Sequence, residues 1–252
     1  MDSLGDWRRR TVVAYLDEPP FFAPSVIGGP TGCDVELAEH VLAGLGVDDI
    51  EWVLVNFDEL IPGVRAGRWH LNTPMFITDE RAELVRFTVP VWAVTDGFIV
   101  RREDRRDLSS YEAIAADDSI VLGVVNGQVQ RDTALSVGVP ARRIVEYVDQ
   151  DAAADAVRDG TVDASASTAP GSFAFVERAA DASLVAVADQ RAAARGTVPL
   201  GAFSAHPDST DLVSAIDREL RRHLGSDRHL AMMARYGFTS ESVPTVTRGD
   251  SS

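Results

Sequence analysis

The sequence predicts an α/β protein made of two similar blocks, because strand-length apolar runs alternate with helical patterns along most of the chain. The blocks cover about residues 10–97 and 104–192, and each is long enough for a small open sheet of mainly parallel strands. The chain then ends in a helical segment, so no third sheet is expected. Ligands of open α/β sheets bind beyond the carboxyl ends of the strands, which makes a cleft between two lobes the expected site.

The elements of the first block follow from the spacing of its apolar residues. TVVAYL is a strand-length run, and the helix CDVELAEHVLAGLG has its apolar residues at helical spacing and ends at Gly46. The strand IEWVLV follows, then a short helix that begins near Asp58, the strand WHLNT, and a helix over Glu80–Val85 with Thr78 or Asp79 as its N-cap.

The second block continues the alternation. Its predicted elements are, in order, GFIVRR, LSSYEAIAA, SIVLGVV, a helix after Asn126-Gly127, RIVEYV, DAAADAVRDG, VDASAS, PGSFAFVERAA and SLVAVA. The strand VPLGAFSA and a helical tail over residues 210–238 follow. The segments GFIVRRED and RGTVPLGAFSA are the expected crossings between the two lobes.

Composition excludes several classes of function. The net charge of −15 argues against sequence-independent nucleic-acid binding and against adhesion to anionic lipid. The single Cys33 rules out an intramolecular disulfide and a multi-cysteine metal site, and the five histidines show no shared metal spacing. No catalytic motif is evident, so the sequence predicts no metal, no cofactor and no enzymatic activity.

The chain also carries no membrane or export signal of its own. No run approaches the roughly 18 apolar residues that span a bilayer, and no apolar segment with a cleavage site follows the arginine triplet near the N-terminus. We therefore expect no direct membrane insertion. The sequence leaves open a cytoplasmic protein, the mature form of an exported one, or a form prepared without its leader.

Four segments, in the right order, are similar to the family 3 extracellular solute-binding proteins. They are FDELIPGVRAGRWHLNTPMFITDERAELVRFTVP, VLGVVNGQVQRD, AVRDGTVDASAST and RELRRHLGSDRHLAMMARYGF, and the resemblance covers roughly residues 11–238. Within the family, the first segment most resembles the branch that includes ectoine and hydroxyectoine binders.

The resemblance implies a two-lobed, type II periplasmic-binding-protein fold, with two open sheets flanked by helices and joined by two hinge strands. Lobe 1 would comprise residues 1–99 and 196–252, and lobe 2 residues 100–195. The expected protein is an extracytoplasmic monomer that binds an amino acid or a related compatible solute between its lobes and delivers it to the permease subunits of an ABC importer.

The resemblance also assigns candidate ligand contacts in lobe 1. Arg81 matches the family's arginine that holds a ligand carboxylate, and the planar guanidinium fork suits this role. The alternative is a solvent-facing arginine in a first helical turn. Thr78 is either a hydroxyl donor or a simple N-cap. Phe57, Phe76 and Phe21 or Phe22 would form aromatic walls or pack in the core, and Glu18 would meet a cationic group or be an exposed loop acid.

In lobe 2 the candidates are Gln128 and Val129, in the loop after Asn126-Gly127, and Thr168. Gln128 and Val129 replace a Ser/Thr pair that is usual in the family, and Thr168 replaces the acid that pairs with an α-ammonium group. The threonine favours an ectoine-like or betaine-like ligand, with a dispersed or substituted nitrogen charge, over a standard α-amino acid. Asp163 is expected to be structural.

Two other functions fit the same resemblance. Some cyclohexadienyl dehydratases share the fold, and Glu18 is the one strong candidate for the general acid that such an enzyme needs. The second is a cytoplasmic ligand sensor, because a fold does not fix a function.

Overall fold

The computed structural model describes residues 6–25, 28–196 and 198–244. The chain forms two compact units, each built on one sheet. The first unit comprises the described residues of Met1–Val55, Glu59–Ala93 and Pro199–Ser252. The second comprises those of Asn56–Asp58 and Val94–Val198.

The elements alternate along the chain as the sequence predicts. The strands are β1 (Thr11–Tyr15), β2 (Ile50–Leu54), β3 (Leu71–Phe76), β4 (Arg86–Phe87), β5 (Trp92–Ala93), β6 (Asp96–Arg101), β7 (Leu122–Val125), β8 (Ile144–Tyr147), β9 (Ala164–Thr168), β10 (Leu184–Ala188) and β11 (Leu200–Ala205). The α-helices are α1 (Cys33–Gly44), α2 (Leu60–Arg65), α3 (Asp79–Leu84), α4 (Tyr111–Ala116), α5 (Gln130–Ser136), α6 (Gln150–Asp159), α7 (Ala169–Ala179), α8 (Thr210–His223) and α9 (Asp227–Arg235).

Both sheets are mixed, so the expectation of mainly parallel sheets is wrong. In the first unit β1 pairs in parallel with β2 and β3, whereas β11 runs antiparallel to β3, β4 and β5. In the second unit β7 pairs in parallel with β8 and β9, whereas β6 runs antiparallel to β9 and β10. A parallel pair needs a crossover over its own sheet. The chain reaches β6 and β11 from the other unit, so that constraint does not apply to them.

The pairing of β6 also moves a predicted boundary. The sequence analysis ended lobe 1 at residue 99, but β6 pairs with β9 from Asp96 to Val100 and therefore belongs to the second sheet over its whole length. Asn56–Asp58, assigned to lobe 1 from the sequence, likewise belong to the second unit. One contact that joins them to this unit is the hydrogen bond that the Asn126 amide donates to the Asp58 carboxylate at 3.1 Å.

Strand β3 runs three residues further than the predicted WHLNT, through Pro74 to Phe76. A proline has no N–H to give to a neighbouring strand, and it normally marks a bulge or an edge. Here the register with β11 shifts between Asn72 and Met75, which face Ser204 and Ala202. Two residues of β3 thus oppose one residue of β11, and Pro74 lies in this bulge. The bulge lets the strand continue to the residues that precede α3.

The core of the second unit covers both faces of its sheet. On one face Phe98 and Tyr111 pack edge to face at 4.9 Å between ring centroids, and on the other Ile99 packs with Val157 and Phe175. Because side chains alternate along a strand, Asp96 lies on the same face as Phe98. Among the described residues, no helix has the length and apolarity needed to cross a bilayer.

Three histidines from different helices meet in the first unit. The His40 and His223 rings lie 3.8 Å apart between centroids, and those of His223 and His229 lie 5.3 Å apart. Burial lowers the pKa of both His223 and His229 to about 4, and the neighbouring imidazoles add to the effect. His229 is fully buried, and its Nδ1 accepts a hydrogen bond from the Gly225 N–H at 3.2 Å.

We expect His229 to make an increasingly unfavourable contribution to the free energy of unfolding as the pH drops from 6.5 to 4. In this range the unfolded chain binds a proton at His229 that the folded protein does not, at a cost of up to about 1.4 kcal/mol per pH unit. His229→Asn keeps an acceptor for Gly225 but cannot be protonated, so the variant should gain stability relative to the wild type as the pH falls. Urea unfolding at pH 7 and 4.5 measures the difference. Parallel profiles for the two proteins would contradict the assignment.

Candidate functional site

Arg81 is buried at the point where β3 gives way to α3. Thr78 is the N-cap of α3, and its hydroxyl oxygen accepts a hydrogen bond from the Arg81 N–H at 3.2 Å. Only 7% of Arg81 is exposed, and its Nη1 donates to the carbonyl oxygen of Phe76 at 2.8 Å. The side chain is therefore not the solvent-facing arginine that the sequence left as an alternative.

The bond to Phe76 fixes the plane of the guanidinium. It occupies one of the five N–H donors that this group carries in a rigid fork. Such a fork matches a carboxylate with two parallel hydrogen bonds, which a point charge cannot do. Thr78 acts as the helix cap, and its O–H hydrogen is a further donor beside Arg81.

The candidate aromatic residues of the first unit are packed against one another. Phe76 meets Trp92 edge-on, with ring centroids 5.2 Å apart. Phe21 contacts Trp92 at 5.2 Å and Phe238 at 5.4 Å, and it is 2% exposed. These contacts place Phe21 in the core of the unit, together with its neighbour Phe22.

Glu18 is buried, so the alternative of an exposed loop acid is wrong. It is 9% exposed, and its backbone pairs with that of Phe22. The sequence analysis missed a second buried acid, Asp34, in the first turn of α1. Trp92 Nε1 donates to Asp34 Oδ2 at 3.2 Å, and the Cys33 thiol donates to Oδ1 at 3.6 Å.

Burial raises the pKa of Asp34 to about 8, against the effect of its two hydrogen bonds, and the negative charge of Glu18 adds to the rise. Asp34 is thus mainly protonated at neutral pH. In the sequence it looks like an ordinary acid at a helix start, where acids are common. The one available signal was its position inside the apolar run of CDVELA.

In the second unit, the loop after β7 lies against Phe57. Gly127 has a φ of 79°, and a Cβ there would come within 3.4 Å of the Phe57 ring. Gln128 is buried, and Val129 is the residue before α5, where it provides no side-chain cap. A serine or threonine in place of Val129 would have had a hydroxyl to cap α5.

Thr168 ends β9 and caps α7, because its hydroxyl oxygen accepts a hydrogen bond from the Gly171 N–H at 3.1 Å. Asp163 is structural, as expected. Its carboxylate accepts from the Val121 N–H at 2.8 Å and forms salt bridges with Arg101 and Arg106.

Sequence reasoning also missed Asp96, which faces Thr168 across the β6–β9 pair. Tyr111 Oη donates to Asp96 Oδ2 at 2.9 Å, and Gln130 Nε2 donates to Oδ1 at 2.8 Å. Burial raises the pKa of Asp96 to about 6, although both hydrogen bonds lower it. An acid directly before the buried run GFIV was the only sequence signal.

Two mixed open sheets, each flanked by helices, define the type II periplasmic-binding-protein fold. The chain belongs to the bacterial extracellular solute-binding proteins, family 3, whose sequence model matches residues 11–239. The predicted family and fold are therefore confirmed, and this protein is a solute-binding protein.

The individual proteins that this chain resembles have low sequence identity to it. A probable amino-acid ABC transporter periplasmic-binding protein of Sinorhizobium fredii is 28% identical over 239 residues, which is 93% of this chain and 79% of the relative. The structure of EhuB in complex with hydroxyectoine has a TM-score of 0.83 at 24% identity, covering 93% of this chain and 91% of EhuB. A histidine kinase sensor domain similar to periplasmic binding proteins has a TM-score of 0.78 at 17% identity, covering 92% and 97%. The two structures support the fold alone.

We expect Asp34→Asn to raise the stability of the protein at pH 8 and to change it little at pH 4. Between these values Asp34 keeps a proton in the folded protein that it releases in the unfolded chain, so the contribution of this carboxyl to the free energy of unfolding falls as the pH rises, by up to about 1.4 kcal/mol per pH unit. Asparagine has no such loss. Melting curves across this range test the assignment, with the exposed Asp48→Asn as a matched control. Equal shifts for both variants at pH 8 would contradict it.

Proposed function

We propose that this chain is the substrate-binding component of an ABC importer and that it binds a small carboxylate-bearing solute, either amino-acid-like or an ectoine-like or betaine-like compatible solute. It acts as an extracytoplasmic monomer and delivers the solute to the permease subunits. The name of the Sinorhizobium fredii relative supports the transport role, and the hydroxyectoine complex of EhuB supports the ligand class.

The observation that carries the proposal is the buried Arg81. Its guanidinium is held by the Phe76 carbonyl before any ligand arrives, so little side-chain freedom is lost on binding. A charge-assisted hydrogen bond is also stronger in such a buried environment than in water. A carboxylate is the ligand group that fits a fixed guanidinium fork.

The hydrogen bonding of the Thr168 hydroxyl limits which nitrogen group the proposed ligand can carry. Its hydroxyl oxygen already caps α7, and a neutral hydroxyl cannot pair with an ammonium group as a carboxylate does. This supports a ligand whose positive charge is dispersed or substituted. Binding without turnover agrees with the Sinorhizobium fredii relative, which is named as a probable periplasmic-binding protein.

We expect Arg81→Met to weaken ligand binding by about 30-fold or more, because removing one partner of a buried charge pair costs about 2–5 kcal/mol. Methionine keeps most of the volume of the side chain, so the fold should persist with a modest loss of stability from the Phe76 carbonyl. Calorimetry measures the affinity, and Arg65→Met, at an exposed arginine of the same unit, is the matched control. Retained affinity in Arg81→Met would exclude the carboxylate clamp.

The ligand itself can be found with a thermal-shift screen of ectoines, betaines, amino acids and prephenate. A true ligand at 100 times its Kd should stabilise the protein by about 2.7 kcal/mol, and we expect an ectoine or a betaine to do so. A response to standard α-amino acids alone would overturn the conclusion drawn from Thr168. Consumption of prephenate would show a dehydratase instead, and no response to any compound would refute the proposed function.

A further inference from the structure

The second unit contains a buried carboxylate that no structural ion pair uses. Asp96 is 8% exposed, and its two hydrogen-bond donors, Tyr111 Oη and Gln130 Nε2, are both neutral. Within the described residues Asp96 forms no salt bridge. A buried carboxylate without a counter-ion is costly, and such groups in folded proteins are normally paired.

The guanidinium of Arg195, whose positive charge lowers the pKa of Asp96, is already engaged by other acids. Arg195 pairs with the Asp189 carboxylate and forms two hydrogen bonds with Glu112, at 2.9 and 3.0 Å. The negative charge of Asp189 also affects Asp96 more strongly than the positive charge of Arg195 does. The surroundings of Asp96 therefore favour the approach of a cation.

A second acceptor lies beside this carboxylate. Gln130 is 1% exposed, and while its Nε2 donates to Asp96, its Oε1 has no hydrogen-bond partner. An unsatisfied buried acceptor costs about 1–3 kcal/mol and is uncommon in native proteins. Each Asp96 oxygen, moreover, accepts one protein hydrogen bond and has capacity for another. The cluster thus offers several unfilled acceptors next to a negative charge.

The position of the pair points to a ligand. Asp96 is the direct cross-strand neighbour of Thr168, and residues directly opposite in an antiparallel pair have Cβ atoms about 4.5–5.5 Å apart on the same face. Thr168 ends β9, and Gln130 begins α5 shortly after the end of β7. Because β7 and β9 are parallel, Thr168 and Gln130 both lie at the carboxyl edge of the sheet. Ligands of open α/β sheets bind at this edge.

We propose that Asp96 and Gln130 together bind the cationic, N–H-bearing group of the transported solute, with Asp96 supplying the negative charge that Thr168 lacks. The inference rests on the proposed function and narrows its ligand class. An amidinium, such as that of ectoine, or a guanidinium has the N–H donors that Asp96 and Gln130 require and the dispersed charge that Thr168 supports. The trimethylated nitrogen of glycine betaine has none and should bind poorly.

The test compares ectoine, L-arginine, L-glutamine and glycine betaine by calorimetry on the wild type and on Asp96→Asn. We expect at least one of the N–H-bearing compounds to bind the wild type ten or more times more tightly than glycine betaine, and to lose at least tenfold in affinity in the variant. Asp96→Asn should fold, because the Gln130 amide can turn over and accept from the new asparagine N–H. Glu112→Gln removes one negative charge nearby without touching Asp96 and should bind as the wild type does.

Gln130→Met provides a second route if Asp96→Asn does not fold, since it removes the free acceptor and keeps the volume. It should weaken binding of the N–H-bearing compound several-fold. Equal binding in the wild type and the folded variants, or glycine betaine binding as tightly as the other compounds, would overturn the inference while the proposed function stands. If none of the four compounds nor any other in the screen binds the wild type, the proposed function fails and the inference fails with it.

Discussion

The structure depends on one constraint, which is that every polar or charged group buried near a sheet edge needs a hydrogen-bond partner. An unpaired buried group costs far more than an ordinary hydrogen bond contributes. At Arg81 and Thr168 the protein meets this requirement within a short stretch of chain. Arg81 donates to Phe76, five residues earlier, and Thr168 accepts from Gly171, three residues later. These local bonds set the direction in which each side chain points, and so they determine what a solute would encounter.

The end of β3 shows how backbone chemistry positions such a group. Pro74 removes one donor from the strand, and the bulge opposite β11 absorbs the loss without ending the sheet. The strand therefore extends to Phe76, whose carbonyl oxygen receives the Arg81 guanidinium. Pro74 thus lies in the part of β3 that leads to this carbonyl, one strand position beyond the predicted WHLNT.

This example also explains which features the sequence could predict. Alternating apolar runs and local caps depend on neighbours in the chain, so the α/β class and the cap at Thr78 were accessible. The burial of Glu18 and the antiparallel direction of β6 and β11 depend on where distant segments meet. Asp34 and Asp96 were missed for the same reason. An acid near an apolar run is common, and only tertiary packing shows that Trp92 covers one of these carboxylates and Tyr111 the other.

Asp34 and Asp96, the two buried acids that the sequence did not reveal, differ in whether they carry a charge at neutral pH. Both have a raised pKa because of burial, so both lower the stability of the folded protein at neutral pH relative to a neutral side chain. Asp34, with its pKa near 8, keeps its proton at neutral pH, so no charge is buried there. Asp96, with a pKa near 6, is largely ionised at pH 7 and has only neutral donors around it. In a protein whose sequence otherwise favours one fold, an energetically unfavourable group often has a functional role. The buried charge of Asp96, beside an unsatisfied Gln130 oxygen, is such an unfavourable arrangement. A cationic solute would stabilise both the charge and the oxygen.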